Sequence, residues 1–278
     1  MAPNSKLNPQ NPKLTPDYAD INKSLWDTWT EVHVKSDFYE YDNFLNGKDF
    51  LRDIELAALP DVKGKKLLHL QCHFGQDTLS WARRGAQVTG VDLSTNAINR
   101  ARELAEKLDI DATFYNCNVY DVPAELNEQF DIVFTSYGTI GWLPDLDKWA
   151  AVIQRCLKPG GTFFMVDWHP FVWMFDDETH SKITYGYFND QMFLEDTTSS
   201  YAGDHSDRPR QTATFNHPTS ETLNALINSG LQLEYFKEFN YSNYDIFPNS
   251  ETIGENKFIM KHFGTKIPYM YSIKAKKG

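Results

Sequence analysis

The chain has 278 residues, 41% of them hydrophobic and 14% aromatic, enough to bury a large core and line a pocket with rings. Its formal net charge of −11 disfavours a phosphate backbone as default partner. Its three cysteines, Cys72, Cys117 and Cys156, are too sparse and unpatterned for a disulfide scaffold, and no apolar run approaches membrane-spanning length. Together these predict a cytoplasmic protein with neither a nucleic-acid nor a membrane partner.

Residues 1–16 hold Pro3, Pro9, Pro12 and Pro16 among Asn, Lys and Gln, without a signal-peptide core, and read as a flexible tail. Residues 17–60 read as a helical cap. Ile21, Leu25, Trp26 and Trp29 recur at helical spacing, Ile54, Leu56, Ala57 and Leu59 less regularly, and Pro60 and Gly64 close the region. Short apolar runs then alternate with amphipathic segments. Strands are expected near 67–70, 88–92, 112–115, 132–135 and 162–166.

The helices between them are marked by caps and stops. Ser94 or Thr95 can cap a helix that buries Ala97, Ile98, Ala101, Leu104, Ala105 and Leu108. Asp145 can cap another, with Leu146, Trp149, Ala150, Ile153 and Leu157 inward, before the turn signal Lys158-Pro159-Gly160-Gly161. The alternation fails over 168–216, which reads as an insertion, partly strands, over the edge of the sheet. Over 217–278 a helix begins at Thr219 or Ser220 and stops at Gly230, and the last two strands are expected at 231–239 and 267–275. The predicted architecture is a single α/β domain over 17–278: a mostly parallel sheet with helices on both faces, its cofactor-binding core at 61–167.

Open α/β sheets bind ligands beyond the carboxyl ends of their strands. The first strand runs into Gln71-Cys72-His73-Phe74-Gly75, and the second ends at Asp92-Leu93-Ser94. Asn118 and Val119 follow the third, Ser136, Tyr137 and Gly138 the fourth, and Asp167, Trp168 and His169 the fifth. This set suits an adenosyl ligand. Asp92 can accept from both ribose hydroxyls, Asn118 from the adenine amino group, and the Val119 N–H can donate to a ring nitrogen. Leu93 can flank the purine, and Gly75 allows close backbone approach. Asp92 could alternatively be a strand-end acid that caps the next helix.

From about Lys66 to Gly161 the chain resembles the class I S-adenosylmethionine-dependent methyltransferases. The resemblance rests on the loop ending in Gly75, on Gly90-Val91-Asp92-Leu93-Ser94, on Asn118-Val119, on Phe130-Asp131-Ile132-Val133 and on Leu157-Lys158-Pro159-Gly160-Gly161. It implies a Rossmann-like seven-stranded sheet with an antiparallel last strand, S-adenosylmethionine as cofactor, and methyl transfer to O, N or C of a small-molecule acceptor. The first loop departs from the pattern: His69 stands where the family usually has an acid, and Gln71 and His73 where it has glycines. Such a loop is similar to that of an uncharacterised bacterial subgroup with a Leu-Gln-Cys-His-Phe-Gly run. Side chains at 71 and 73 would meet a pyrophosphate, which argues against a nicotinamide dinucleotide.

The residues expected at the cofactor are Gln71, Cys72, His73, Gly75, Asp92, Leu93, Ser94, Asn118, Val119, Ser136 and Trp29. His169, Tyr137 and His33, in that order, are the candidates for a general base. His69, Cys72 and His73 are not expected to hold a metal, because one lies in a strand and the others in the cofactor loop. An RNA methyltransferase would need a basic stripe, and Arg83-Arg84 and the lysines of 274–277 are too few. A non-catalytic S-adenosylmethionine-binding protein is the other alternative, suggested by the altered loop.

Overall fold

The computed structural model describes residues 17–176, 178–189, 191–204 and 208–278; the tail expected over 1–16 lies outside them. Three helices come first, Tyr18–His33 (α1), Tyr41–Leu45 (α2) and Asp53–Ala58 (α3). Then Lys66–Leu70 (β1), Gln76–Arg83 (α4), Gln87–Asp92 (β2), Thr95–Lys107 (α5), Ala112–Asn116 (β3) and Phe130–Ser136 (β4) follow in turn. Leu146–Cys156 (α6) runs directly into Leu157–Trp168 (β5). The alternation then breaks into two small antiparallel pairs. Phe193–Thr197 (β6), Ser199–Ser200 (β7), Gly203–Asp204 (β8) and Arg210–Thr214 (β9) pair β6 with β9 and β7 with β8. Thr219–Asn228 (α7), Leu231–Phe239 (β10), a hairpin of Ser250–Gly254 (β11) and Lys257–Met260 (β12), and Met270–Lys277 (β13) complete the chain.

The main sheet has seven strands in the order β10-β13-β5-β4-β1-β2-β3. β5, β4, β1, β2 and β3 are parallel, and β13 runs antiparallel to both β5 and β10. The chain steps outward from β1 to β3 and then crosses back to lay β4 on β1's other side. That reversal opens a crevice at the strand ends.

Period-two alternation assigns the two faces. Leu68, Leu70, Val133 and Phe163 pack with Trp149 and Ile153 of α6 and Leu226 of α7, while Leu67, Ile132, Phe134 and Phe164 pack with Ile54 and Ala58 of α3 and Trp81 of α4. A third cluster joins Ile98, Ala101 and Leu104 of α5 to Phe114, Phe74 and Phe44.

Both expected caps form, the Ser94 side chain accepting from Ala97 N and that of Asp145 from Lys148 N. Two boundaries differ from the sequence reading. The Lys158–Gly161 turn signal lies inside β5, where it is absorbed as a register shift opposite Phe130–Ile132 with Gly160 at φ 75°. The last strand begins at Met270, paired with Phe239 at the end of β10, three residues later than expected.

The cap is fastened by polar contacts. Asn22 of α1 exchanges two hydrogen bonds with the backbone of Ala213 in β9, at 2.8 and 3.0 Å. Asp27 accepts from Ser94 Oγ and Asn96 N at the start of α5. Burial opposes its charge, but bonds from Lys23, Asn96 and Ser94 outweigh it and hold the carboxyl below its usual range.

Candidate active site at the strand ends

The loop after β1 owes its shape to three left-handed residues, Gln71 at φ 57°, His73 at φ 51° and Gly75 at φ 82°. For Gly75 this conformation is free, whereas for the other two it costs about 1–2 kcal/mol each. Gln71 and His73 therefore keep a glycine's backbone and add side chains to it. Asp92 binds the loop to the end of β2: Oδ2 accepts from His73 N and Oδ1 from Ser94 N, both at 2.8 Å. Gly90 is required beneath, since a Cβ there would lie 2.7 Å from Cys72 Sγ and from the Phe114 ring.

Two glutamines are held by their amide nitrogens. Gln71 Nε2 donates to Thr139 O and Gln76 Nε2 to Tyr39 O, each at 2.8 Å. Asp167, at the end of β5, in turn fixes the loop carrying Thr139 by accepting from Gly138 N, Thr139 N and Thr139 Oγ1. Gln71 Oε1 and Gln76 Oε1 are left buried without a hydrogen-bond partner among the described residues, and both residues line the same cavity.

That cavity gathers most of the residues singled out from the sequence: Gln71, Cys72, His73, Gly75, Asp92, Leu93, Asn118, Val119, Ser136 and Tyr137. Asn118 Oδ1 also accepts from Tyr120 N, capping the turn after β3. Four expected residues lie outside the lining. Ser94 is fully buried as the α5 cap. Trp29 stands behind Trp26, which takes the place at the wall (ring centroids 5.1 Å apart). His33 contacts His73 Nε2 through Nδ1 at 3.3 Å and Ser200 Oγ through Nε2 at 3.0 Å. His169 Nε2 pairs with Glu238 Oε1 at 3.1 Å, and its Nδ1 accepts from Phe171 N, so the first-ranked base candidate is engaged away from the cavity.

Phe38, Tyr39, Phe50, Asp77, Trp142, Trp168, Tyr201 and Tyr244 complete the wall. Asp77 is next to a glutamine at the head of α4 and could have been found from its distance to Gly75. Tyr201 and Tyr244 carry no local signal.

Burial controls the protonation states. It lowers His69 to about 3, and together with the neighbouring His33 it holds His73 well below its usual value, so both rings are neutral at neutral pH. It pushes Asp92 up to about 6 against the bonds from Ser94 and His73, and with the nearby Asp92 charge it raises the Cys72 thiol. Cys72 is thus a packed thiol without thiolate character. No group of three or more potential ligands for a metal ion occurs among the described residues.

Residues 67–161, the stretch that builds β1 to the start of β5, match the model of a family described as a methyltransferase domain. This part of the chain is similar to a methyltransferase domain. An uncharacterized methyltransferase of Synechocystis is 35% identical over 47% of this chain and 60% of its own length. A ubiquinone biosynthesis O-methyltransferase of Xanthomonas oryzae is 32% identical over 40% of this chain and 46% of its own. The match to these curated relatives spans about half of their length. In three dimensions the whole chain is similar to geranyl diphosphate C-methyltransferase from Streptomyces coelicolor, a structure containing Mg2+, geranyl diphosphate and S-adenosyl-L-homocysteine. That likeness has a TM-score of 0.57 at 17% identity and covers 95% of this chain and 99% of that one, which establishes the fold. Among the described residues no helix is long and apolar enough to cross a membrane.

Proposed function

We propose that the protein is an S-adenosylmethionine-dependent methyltransferase acting on a small-molecule acceptor in the cytoplasm. The observation that carries this reading is the cavity's polar lining, with Asp92 at the end of β2 and the unpartnered oxygens of Gln71 and Gln76 around the same space. These residues fit the cofactor. Each Asp92 oxygen accepts one backbone N–H and retains a lone pair for a ribose hydroxyl. Buried amide oxygens without donors suit an ammonium group, and Leu93 and Val119 supply apolar contacts for a purine. The bound cofactor supplies a methyl group on a cationic sulfur, so alignment and exclusion of water are the protein's main tasks.

Exclusion of water is built from the cap and the insertion together. Tyr39 after α1 and Tyr201 between β7 and β8 share a hydroxyl–hydroxyl bond of 2.5 Å, and Trp26 packs edge-on against Trp142 and His73. Neutral aromatic faces around a sulfonium add electrostatic stabilisation. Such an enclosure, with an acidic surface outside it, favours a small molecule over a polymer. The relative named for an O-methyltransferase supports the same class.

Calorimetric titration with S-adenosylmethionine and with S-adenosylhomocysteine tests this. Micromolar binding of either is expected, with NADH silent. Binding of neither, or of NADH alone, overturns the reading.

A further inference from the structure

We propose that the cavity beyond the end of β4 is the acceptor subsite, that it takes an uncharged ring compound bearing a hydroxyl, and that Asp77 accepts the hydroxyl proton as the oxygen takes the methyl group. The proposal rests on the cofactor reading above and assigns the part of the cavity which that reading leaves over.

Strand order divides the space. Asp92, Leu93, Asn118 and Val119 belong to the β2 and β3 ends, whereas Ser136, Tyr137 and Trp168 belong to the β4 and β5 ends on the other side of β1. With the ribose at Asp92 and the amino-acid end at Gln71 and Gln76, the β4 side is open to the acceptor. Its walls are rings: Tyr137 lies edge-on to Tyr244 at 4.8 Å and 5.9 Å from Trp168. A flat ring suits such a slot.

Asp77 is the acid of this end. It sits in the first turn of α4, where Ser136 Oγ donates to Oδ2 at 3.0 Å, and Oδ1 accepts no hydrogen bond from the described residues. His69 steadies the arrangement, its Nδ1 2.8 Å from Thr78 Oγ1 and its Nε2 3.4 Å from Ser136 Oγ.

The groups around Asp77 leave the proton-accepting role to it. Arg52 stands at the start of α3 with its guanidinium 4.7 Å from the Tyr244 ring centroid, outside the cavity lining. Glu55 is fully buried beside the Tyr137 hydroxyl, and burial, with the Asp77 charge second, pushes it up to about 8. It is therefore neutral where Asp77, pushed by burial to about 6 and held down by Ser136 and Arg52, is ionised. The distant Asp49 raises Asp77 slightly, and the phenols of Tyr39, Tyr137 and Tyr244 stay protonated. Among the described residues no lysine or arginine lines the cavity, and Arg52 behind it already faces the Asp77 charge, so an anionic acceptor would meet a carboxylate before any cation.

The step balances. The acceptor O–H bond breaks and its proton goes to Asp77 Oδ1. The oxygen's electron pair forms the new bond to the methyl carbon, and the C–S pair remains on sulfur. A sulfonium and a carboxylate become a neutral thioether and a carboxylic acid, alongside a neutral methyl ether.

The test uses the full chain with catechol as the uncharged hydroxylic probe, benzylamine as the cationic one and benzoate as the anionic one. With S-adenosylhomocysteine bound, catechol should bind at least about tenfold more tightly than either of the others. Asp77→Asn should keep homocysteine-cofactor affinity within about twofold, lower methyl transfer from S-adenosylmethionine to catechol by about a hundredfold or more, and abolish the acidic limb of the pH–rate profile near 6. Asp77→Glu should restore part of the rate. Unchanged transfer in Asp77→Asn, tighter binding of benzoate or benzylamine, or no catechol binding to cofactor-loaded protein overturns the acceptor proposal alone. Failure of the wild-type protein to bind either cofactor form sinks both readings.

Discussion

The two ends of the cavity are built in different ways. At the β2–β3 end the ligand-facing groups come from a short stretch, and hydrogen bonds between near neighbours in the chain shape them: Asp92 reaches His73, nineteen positions away, and Ser94, two away. At the β4 end the wall is assembled from Phe38, Phe50, Asp77, Tyr137, Trp168, Tyr201 and Tyr244, spread over most of the chain. Both ends leave buried polar atoms without a hydrogen-bond partner among the described residues: Gln71 Oε1 and Gln76 Oε1 at the first, and the Tyr137 hydroxyl with Glu55 and Arg52 Nε behind it at the second. Unsatisfied buried groups are costly, and a ligand can complete those that line the cavity.

The largest expected effect separates the ends directly. Asp92→Ala removes the proposed ribose acceptor and the clamp on the His73 loop, and each hydrogen bond to a charged group is worth about 1.5–3 kcal/mol. Affinity for S-adenosylhomocysteine should fall by about a hundredfold or more in calorimetry. Wild-type affinity in that variant would erase the division.

Glu55→Gln is next and reports on the other end. Glu55 is raised from 4.5 to about 8 in the folded protein, so the folded state holds the extra proton between those values. Its contribution is fully present below about pH 4.5 and is lost as pH rises through about 8. Urea unfolding at acidic and alkaline pH should show Glu55→Gln stabilised on the alkaline side, on the order of 2–4 kcal/mol. Parallel pH profiles for variant and wild type would mean that Glu55 titrates normally.

Tyr201→Phe removes the bond to Tyr39 that joins insertion to cap. A loss of about 1 kcal/mol and a several-fold faster cofactor off-rate are expected in stopped-flow fluorescence. An unchanged off-rate would show that the enclosure does not gate the ligand.

The smallest effect is at Gln71. Gln71→Gly relieves a left-handed conformation but removes the bond to Thr139 O, so the stability of the free protein should change by about 1 kcal/mol or less. The same change should weaken cofactor binding several-fold, a divergence that thermal shifts with and without ligand would reveal.

Much of the first end was legible because its signals are local. Asp92 after an apolar run, a loop closed by Gly75, and the caps Ser94 and Asp145 each act within a few residues of themselves, and the structure places them as read. Ser94 shows the limit of that reading: it caps its helix and bonds Asp27, and so is not available at the wall. Trp26 and Trp29 share one helical face, so spacing alone could not say which of them reaches the cavity. His169 drew attention as a strand-end histidine, but Glu238 lies across from it on β10, a neighbour visible only once the sheet is assembled.

By itself, the sequence determined the parallel sheet, its helix caps and the cofactor-side strand ends, since apolar periodicity and capping chemistry operate at the range of single elements. Only the tertiary structure decided the β4 side of the cavity. Which aromatic rings meet over the cavity, that Asp77 faces it, and that His33 and His169 are occupied elsewhere all depend on contacts between residues dozens to hundreds of positions apart. Such contacts follow from how the cap and the insertion pack onto the sheet, and no short stretch of the chain encodes that packing.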